Sequence, residues 1–288
     1  MVAALRDIAR AKINLTLRVL GRREDSYHEL ESLVAFAEAG DVLELDPGPS
    51  LGLSIDGPFA KMLGGENLVL AAARTAKALR PDLTFGHFRL RKELPVAAGL
   101  GGGSADAAAA LRLIARANDG ALTGTDRSAI AVALGSDVKV CLESRPALMT
   151  GRGEKVTVVR GFPGCAAVLA NPRLPLATGP VYAALRAAGL AAPPDAVEPM
   201  GFGGDFEALV AYLEPRGNDL ERAAAELLPQ IREVLAALSG LHGVRVARLS
   251  GSGPTCFALF ATYDEAARGA EALSNSHSSW WIRPSRLG

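Results

Sequence analysis

A run of four glycines in five residues constrains this chain more than any other feature of its sequence. The run lies within Gly99-Leu100-Gly101-Gly102-Gly103-Ser104. The alternating segment Phe88 to Leu94 predicts a strand before it, and the segment from Ser104 to about Asn118 predicts a helix after it. Unhindered N–H groups at the positive start of a helix can hold phosphate oxygens. The residues therefore predict an anion site, although the same glycines would also suit a simple tight turn.

The glycine run does not match three well-known nucleotide-binding motifs. Ser104-Ala105-Asp106 follows the glycines where a P-loop of the Walker type requires Gly-Lys-Ser/Thr. The third glycine of a Rossmann fingerprint would fall on Ser104, and its acidic residue would be Asp119, which belongs to an Asp-Gly turn. The chain also has no HRD or DFG element of protein kinases.

Length and composition predict a two-domain globular protein. The chain has 288 residues, of which 49% are hydrophobic and 22% charged, so it can bury a sizeable core. A change of texture after Arg160 predicts domains over residues 1–160 and 161–288. Lys plus Arg and Asp plus Glu both total 31, which argues against nonspecific binding of nucleic acid or of an anionic membrane.

The cysteines and the terminal segment predict a cytoplasmic protein. Cys141, Cys165 and Cys256 are far apart and show no spacing suited to zinc, which fits a reducing compartment. The first twenty residues carry charges and no long apolar stretch, and no segment elsewhere runs eighteen apolar residues without interruption. We expect no membrane partner, and a monomer or a homodimer.

Periodicity predicts further elements in the first half of the chain. Ile13 to Val19 and Asp41 to Leu45 are typical of strands. Asn67 to Leu79 predicts a helix, with Asn67 as its N-cap and Arg80-Pro81 as its stop signal.

The second half predicts another α+β domain. Ala166 to Ala170 is typical of a strand, Ala191 to Gly204 of a loop and linker, and Leu220 to Leu238 of helix. Val244 to Phe260 predicts two strands joined by a glycine-rich turn.

Two segments resemble motifs of the GHMP kinases, a superfamily that includes galacto-, homoserine, mevalonate and phosphomevalonate kinases. Pro95 to Ala108 resembles their phosphate-binding motif, with Ala105 where many members carry a second Ser. Leu249 to Phe257 resembles their third motif, a glycine-rich turn that closes near the phosphate site. The resemblance extends from about Ala11 to Phe260. It implies an α+β, two-domain GHMP kinase fold with an N-terminal ATP-binding domain and a C-terminal ferredoxin-like domain.

A third resemblance narrows the family. Ala11 to Leu15 and Gly21 to Leu30, with the pair Tyr27-His28, are similar to the N-terminal motif of diphosphocytidyl-methylerythritol kinases. This implies ATP-dependent phosphorylation of the 2-hydroxyl of 4-diphosphocytidyl-2-C-methyl-D-erythritol, in the non-mevalonate route to isoprenoid precursors. The alternatives are another GHMP kinase, of the mevalonate or homoserine type, and a catalytically silent GHMP-fold binding protein.

The resemblance also implies a catalytic pair, Asp137 and Lys12. Asp137 precedes the apolar run Val138 to Leu142, which places it at the start of a predicted strand, and it matches the family's catalytic aspartate. From the residues alone, a turn or cap carboxylate is the favoured interpretation, and only the family match reverses that preference. Lys12 matches the aspartate's partner, a cation that keeps the carboxylate ionised and orients the acceptor hydroxyl. Lys139 stands where the family usually has Pro.

The remaining predicted site residues bind the two substrates. The ATP-binding set is Pro95, Val96, Ala97, Ala98, Gly99, Leu100, Gly101, Gly102, Gly103, Ser104, Ala105, Asn67 and Lys92. Asn67 would alternatively be only a helix cap and Lys92 only a solvated lysine. The acceptor-binding set is Asn14, Tyr27, His28, Thr178 and Tyr182. ATP is expected as its Mg²⁺ complex, without a tightly bound cofactor, and the sequence assigns no protein ligand to the metal.

Overall fold

The structure, a computed structural model, describes residues 4–22, 28–185 and 201–288. Its strands are β1 (Leu5–Asn14), β2 (Arg18–Arg22), β3 (His28–Gly48), β4 (Gly52–Asp56), β5 (Phe85–Arg91), β6 (Ala147–Gly151), β7 (Lys155–Val158), β8 (Cys165–Asn171), β9 (Val246–Leu249), β10 (Cys256–Phe260) and β11 (Trp281–Leu287). Its α-helices are α1 (Leu68–Leu79), α2 (Gly102–Ala117), α3 (Gly124–Leu134), α4 (Ser136–Glu143), α5 (Thr178–Ala184), α6 (Phe206–Leu213), α7 (Glu221–Leu227), α8 (Gln230–Ser239) and α9 (Tyr263–Ser276). A short 3₁₀ helix spans Ala60–Met62.

The chain divides into two compact units that interleave along the sequence. The first unit contains the chain up to Ala11, Gly40–Val96 and Gly101–Ser144. The second contains the described parts of Lys12–Ala39, Ala97–Leu100 and Arg145–Gly288. Strands β1 and β3 therefore each begin in one unit and end in the other. The single boundary expected near residue 160 stays a prediction.

The described residues of the first unit form a small sheet and four α-helices, α1 to α4. The second half of β3 pairs antiparallel with β5, and β5 pairs parallel with β4. Helix α1 begins at Asn67, whose side-chain oxygen accepts the N–H of Val69 at 2.8 Å. Its buried residues Val69, Ala72, Ala73 and Ala76 repeat every three or four positions, so one face of the helix enters the core. The predicted helix and its cap are confirmed.

Helix α2 is the central helix of the first unit. It is rich in alanine, and all residues from Ala105 to Ala110 are buried. Such small side chains let α1 and α4 pack closely against it. Arg112 of α2 also pairs with Asp7 of β1 at 2.8 Å. The predicted helix from Ser104 to about Asn118 is confirmed, with a start two residues earlier.

The second unit contains a ferredoxin-like arrangement. Strands β8, β9, β10 and β11 pair antiparallel in the order β11-β8-β10-β9. Because helices α7 and α8 precede β9 and α9 precedes β11, the chain follows the β-α-β-β-α-β order of that fold. The buried face of the sheet packs on helices α8 and α9 through a core that includes Val168, Phe260, Val234 and Leu273. The predicted strand over Ala166–Ala170 and the two strands within Val244–Phe260 are confirmed.

The first half of β3 forms a second group of strands in the same unit. It pairs antiparallel with β2 and with β6, and β6 pairs antiparallel with β7.

Three predicted strands differ from the structure. Ile13–Val19 is not one strand, because β1 ends at Asn14 and the N–H groups of Leu15 and Thr16 both turn to the oxygen of Leu33. The strand expected over Phe88–Leu94 lies at Phe85–Arg91, and it ends early because the side chain of Asp41 takes the N–H groups of residues 93 and 94. The strand expected from Val138 is wrong.

The segment after Asp137 forms helix α4 instead. Val138 and Cys141, three residues apart, are buried on one face, which suits a helix packed on α2. The helical stretch predicted over Leu220–Leu238 is two helices, since Pro229 lacks the N–H that a continuous helix would need. Of the predicted linker Ala191–Gly204, residues 191–200 lie outside the described residues.

Candidate active site

The glycine-rich loop joins β5 to α2 through residues with left-handed backbone conformations. The backbone φ is +52° at Ala97, +73° at Gly99 and +62° at Gly101. The first α-helical bond of α2 runs from the N–H of Ala105 to the oxygen of Gly101. The N–H groups of residues 102–104 therefore have no partner within the helix, and they are the type of donor that holds phosphate at a helix start.

In the second unit, the loop residues Ala97–Leu100 pack against the glycine-rich turn that lies within Leu249 to Phe257. A Cβ at Gly99 would lie 2.2 Å from the oxygen of Ser250, so glycine is required there. The Ser250 hydroxyl donates to the oxygen of Gly99 at 2.9 Å and accepts the N–H of Asn14 at 3.1 Å. The N–H of Lys12 donates to the oxygen of Leu100 at 2.9 Å. Lys12, Asn14, the loop and the turn are thus joined within one unit.

Asn14 presents a buried oxygen that lacks a partner. The residue is 4% exposed, and its amide nitrogen donates to the hydroxyl of Ser32 at 2.7 Å. Its Oδ1 atom has no hydrogen-bond partner among the residues that the structure describes, and a Cβ at Gly251 would lie 3.2 Å from it. Buried acceptors are normally satisfied in folded proteins. This oxygen is therefore suited to accept a hydrogen bond from the hydroxyl of a small molecule.

Polar side chains hold the glycine-rich turn in place by hydrogen bonds. The amide of Asn218 donates to the oxygens of Leu249 and Gly251, at 2.9 and 2.8 Å. The hydroxyls of Thr178 and Ser252 lie 2.9 Å apart, so Thr178 is held at the turn. The bracing by Ser250 and Asn218 was not predicted, although both residues stand in segments with a family resemblance.

His28 and Tyr182 lie side by side in the second unit. Their ring centroids are 5.0 Å apart, with the planes tilted by 32°. Partial burial, reinforced by the positive charge of Arg22, lowers the pKa of His28 below its usual value. The ring is thus neutral at pH 7 and offers one donor and one acceptor nitrogen. Tyr27, predicted to stack on the base, lies outside the described residues.

In the first unit, Asp137 lies in the first turn of α4. A carboxylate in this position interacts favourably with the positive end of a helix. Lys92 is 2% exposed and donates to two buried carboxylates, Asp41 and Asp106. The alternative of a solvated Lys92 is therefore wrong. Among the described residues, no group of three or more His, Cys, Asp or Glu is arranged to hold a metal ion.

Comparison with known proteins identifies the family. The model for the GHMP kinases N terminal domain matches residues 67–144, and the model for the GHMP kinases C terminal matches residues 196–278. A 4-diphosphocytidyl-2-C-methyl-D-erythritol kinase from Rhodopseudomonas palustris is 50% identical over 98% of this chain and 97% of its own length. The chain belongs to the GHMP kinases, among the 4-diphosphocytidyl-2-C-methyl-D-erythritol kinases.

Other relatives agree with this family. A kinase of the same name from Parvibaculum lavamentivorans is 47% identical, with 100% of both chains covered. The crystal structure of a 4-(cytidine 5'-diphospho)-2C-methyl-D-erythritol kinase is 36% identical, with a TM-score of 0.77 and 99% of both chains covered. A homoserine kinase from Cytophaga hutchinsonii shares the fold, with a TM-score of 0.69 at 17% identity.

The predicted GHMP kinase fold is therefore confirmed, whereas the individual site residues stay predictions. The structure joins Lys12, Asn14 and the Gly99 end of the loop, and it pairs His28 with Tyr182. Lys12 belongs to the second unit and Asp137 to the first. In the described part of the chain, no helix is long and apolar enough to cross a membrane.

Proposed function

We propose that this chain transfers the γ-phosphoryl group of ATP to the 2-hydroxyl group of 4-diphosphocytidyl-2-C-methyl-D-erythritol. The observation that carries the proposal is the likeness to kinases of that name, at 50% identity over 98% of the chain. Fold alone would not distinguish this acceptor from others, because a homoserine kinase shares the architecture.

The glycine-rich loop and the start of α2 supply the phosphate site in this proposal. Their N–H groups donate hydrogen bonds to the phosphate oxygens from fixed positions. These bonds stabilise the negative charge that develops on the oxygens during transfer. ATP enters as its Mg²⁺ complex, and the metal neutralises charge on the β- and γ-phosphates. In this proposal the Ser104 hydroxyl, at the third helical position, would contact a phosphate oxygen or the metal.

Asp137 and Lys12 act on the acceptor hydroxyl. Asp137 accepts the proton of the hydroxyl as it attacks, or holds the hydroxyl in line for attack. The Lys12 ammonium, which is almost wholly buried, orients the hydroxyl. We assign the larger share of the effect to positioning.

Acceptor recognition uses groups of the second unit. The unpaired Oδ1 of Asn14 is suited to accept a hydrogen bond from an acceptor hydroxyl. The neutral His28 ring can donate and accept along the edge of cytosine, and Tyr182 offers a flat face beside it. We further infer a cytoplasmic enzyme that acts as a monomer or a homodimer.

The test measures ADP release with Mg-ATP and four separate acceptors: diphosphocytidyl-methylerythritol, mevalonate, homoserine and galactose. We expect turnover with the first acceptor alone, and a single new phosphomonoester at its 2-position by ³¹P NMR. Turnover confined to one of the other three acceptors would assign the chain to another GHMP kinase. ATP binding without turnover on any acceptor would favour the silent binding protein.

A further inference from the structure

Three buried charged side chains form a network in the first unit. Asp41, Lys92 and Asp106 are 0%, 2% and 3% exposed. The Lys92 ammonium donates to Oδ2 of Asp41 at 2.5 Å and to Oδ2 of Asp106 at 2.7 Å. Burial opposes the charge of Lys92, but Asp106 and Asp41 outweigh that effect and raise its pKa, so the lysine stays charged.

The network connects the two ends of the glycine-rich loop. Oδ1 of Asp41 accepts the N–H groups of Glu93 and Leu94, at 2.7 and 2.9 Å, and these residues directly precede the loop at Pro95. Asp106 lies on α2, two residues after the loop ends at Ser104. A continuous path of hydrogen bonds therefore runs from the chain entering the loop, through Asp41 and Lys92, to the helix leaving it.

The network also lies directly beside the first residue of α2. A Cβ at Gly102 would lie 3.6 Å from Nζ of Lys92 and 3.7 Å from Oδ2 of Asp41. A Cβ at Gly102 would thus make ordinary van der Waals contact with these groups, so the space of about one methyl group separates the Gly102 backbone from the network. A shift in any of the three side chains would be transmitted to the donors at the helix start.

Stability alone does not account for three ionisable side chains at this place. Moving charged side chains out of water costs free energy. Apolar side chains of similar volume often stabilise a fold as much as a buried ion pair does. The network is also incompletely satisfied, since Oδ1 of Asp106 is buried and has no hydrogen-bond partner in the described part of the chain. What charged groups provide, and an apolar cluster does not, is directional bonds of fixed length between defined atoms.

We propose that Asp106 is a positioning residue that, through Lys92 and Asp41, fixes the spacing of the two ends of the glycine-rich loop and so the geometry in which the loop holds ATP. The nucleotide in this statement rests on the proposed function. The constraint on the loop itself does not, because it is made by groups of one unit without any ligand.

The test compares Asp106→Ala, Asp106→Asn and a matched control, Asp7→Asn. Asp7 also pairs with a cation on α2, Arg112 at 2.8 Å, but it joins the helix to β1 rather than to the loop. Hydrogen exchange of the amides of residues 95–104 is measured without ligand, and kcat and both KM values are measured with ATP and the acceptor.

In Asp106→Ala we expect loop amides to exchange about tenfold faster and the KM for ATP to rise about tenfold or more, with the KM for the acceptor within about twofold of wild type. In Asp106→Asn we expect the loop exchange rates and the KM for ATP to stay close to wild-type values, since the amide oxygen of Asn can still accept a hydrogen bond from Lys92. Asp7→Asn should behave as wild type in the loop. If Asp106→Ala does not fold, the triple variant Asp41→Asn/Lys92→Met/Asp106→Leu replaces it, because it leaves no unpaired buried charge in the network.

Two results would overturn the inference: loop exchange and the KM for ATP that stay at wild-type values in a folded variant, or exchange that rises as much along all of α2 as in the loop. The second result would mean that Asp106 only supports the helix. If the proposed function is wrong, the wild-type protein will show no turnover of the cytidine acceptor, which is a different result from the two above. Loop exchange and calorimetric binding of Mg-ADP would still decide the inference in that case.

Discussion

Among the described residues, Oδ1 of Asn14 and Oδ1 of Asp106 are buried acceptor atoms without a hydrogen-bond partner, and they call for different explanations. Oδ1 of Asn14 lies beside Gly251, at a turn built from glycines, where a small molecule can approach the backbone. Asp106 lies between buried alanines of α2. Asn14 is thus suited to meet a ligand, whereas Asp106 acts on the loop through its other oxygen.

At Asp137, replacement by Asn tests the catalytic role. Asn has the same size and keeps an oxygen in the first turn of α4, but it cannot take a proton. We expect the fold and the affinity for ATP to be preserved and turnover to fall by roughly 10²- to 10⁴-fold if proton transfer is the main contribution. Asp126→Asn is the control, since Asp126 is the first-turn carboxylate of α3 and serves a capping box. Near-normal turnover of Asp137→Asn would remove Asp137 from the catalytic role.

At His28, replacement by Ala tests how the base is read. A lost hydrogen bond leaves a buried group of the acceptor unpaired, so we expect the preference for the cytidine acceptor over its uridine analogue to fall by roughly 10- to 100-fold. The affinity for ATP should change little. His277→Ala serves as the control, since that ring stacks on Trp280 elsewhere in the same unit. The measurement is the ratio of kcat/KM for the two acceptors, and an unchanged ratio would show that His28 does not read the base.

At the scale of elements, the glycine-rich loop should tolerate no β-branched residue at Gly101. Its φ of +62° is strained for valine, and the residue directly precedes the donors of α2. We expect Gly101→Val to lower the affinity for ATP at least tenfold. Gly120→Val is a matched control, because Gly120 follows the other end of α2, has a φ of +80° and has nothing within 4 Å of an added Cβ.

Both variants carry backbone strain, so both should lower the thermal midpoint of unfolding. Calorimetric titration with ATP distinguishes them, because only the Gly101 variant should lose affinity. Equal affinities in the two folded variants would mean that the loop is only a turn.

Local signals in the sequence predicted those elements whose ends are set by their own residues. Asn67 caps α1 with its side chain, and Gly120 follows α2 with a positive φ, so composition and spacing predict both helices. The strand predicted from Val138 failed because its apolar residues suit either a strand or a helix, and packing on α2 decided the matter. The early end of β5 depends on Asp41, some fifty residues away, which no local pattern reveals.

The candidate site divides in the same way. The glycine loop is contiguous and carries its own signature, so the sequence predicts it directly. The bracing of the turn by Asn218 and the burial of Lys92 arise from contacts between distant segments, such as Lys92 with Asp41. One signal in the sequence could have indicated the burial of Lys92: it stands between Leu90 and Leu94 in the two-residue alternation, at a position where an apolar residue is expected.

At the scale of the whole molecule, the chain passes between its two units at positions next to predicted site residues. Lys12 is the first residue of the second unit's opening segment, and the glycine loop contributes Ala97–Leu100 to that unit while α2 belongs to the first. A single boundary near residue 160 would instead assign Lys12 and the whole glycine loop to one domain. Interleaving therefore gives each unit a share of the loop on which the proposed chemistry depends.

The pH dependence of global stability should report the buried carboxyl of Asp106. Burial raises the pKa of Asp106 from 3.8 to about 7; Lys92 opposes this shift and Asp41 adds to it. The folded protein thus binds this proton more tightly than the unfolded chain does. Stability from this group is therefore fully present below about pH 4 and is lost as the pH rises through about 7. Asp106→Asn has no such proton, so its free energy of unfolding relative to wild type should improve from pH 4 to pH 7 and level off above about pH 8. Urea denaturation of both proteins at each pH measures this difference, and a difference that does not vary with pH would show that Asp106 is ionised throughout.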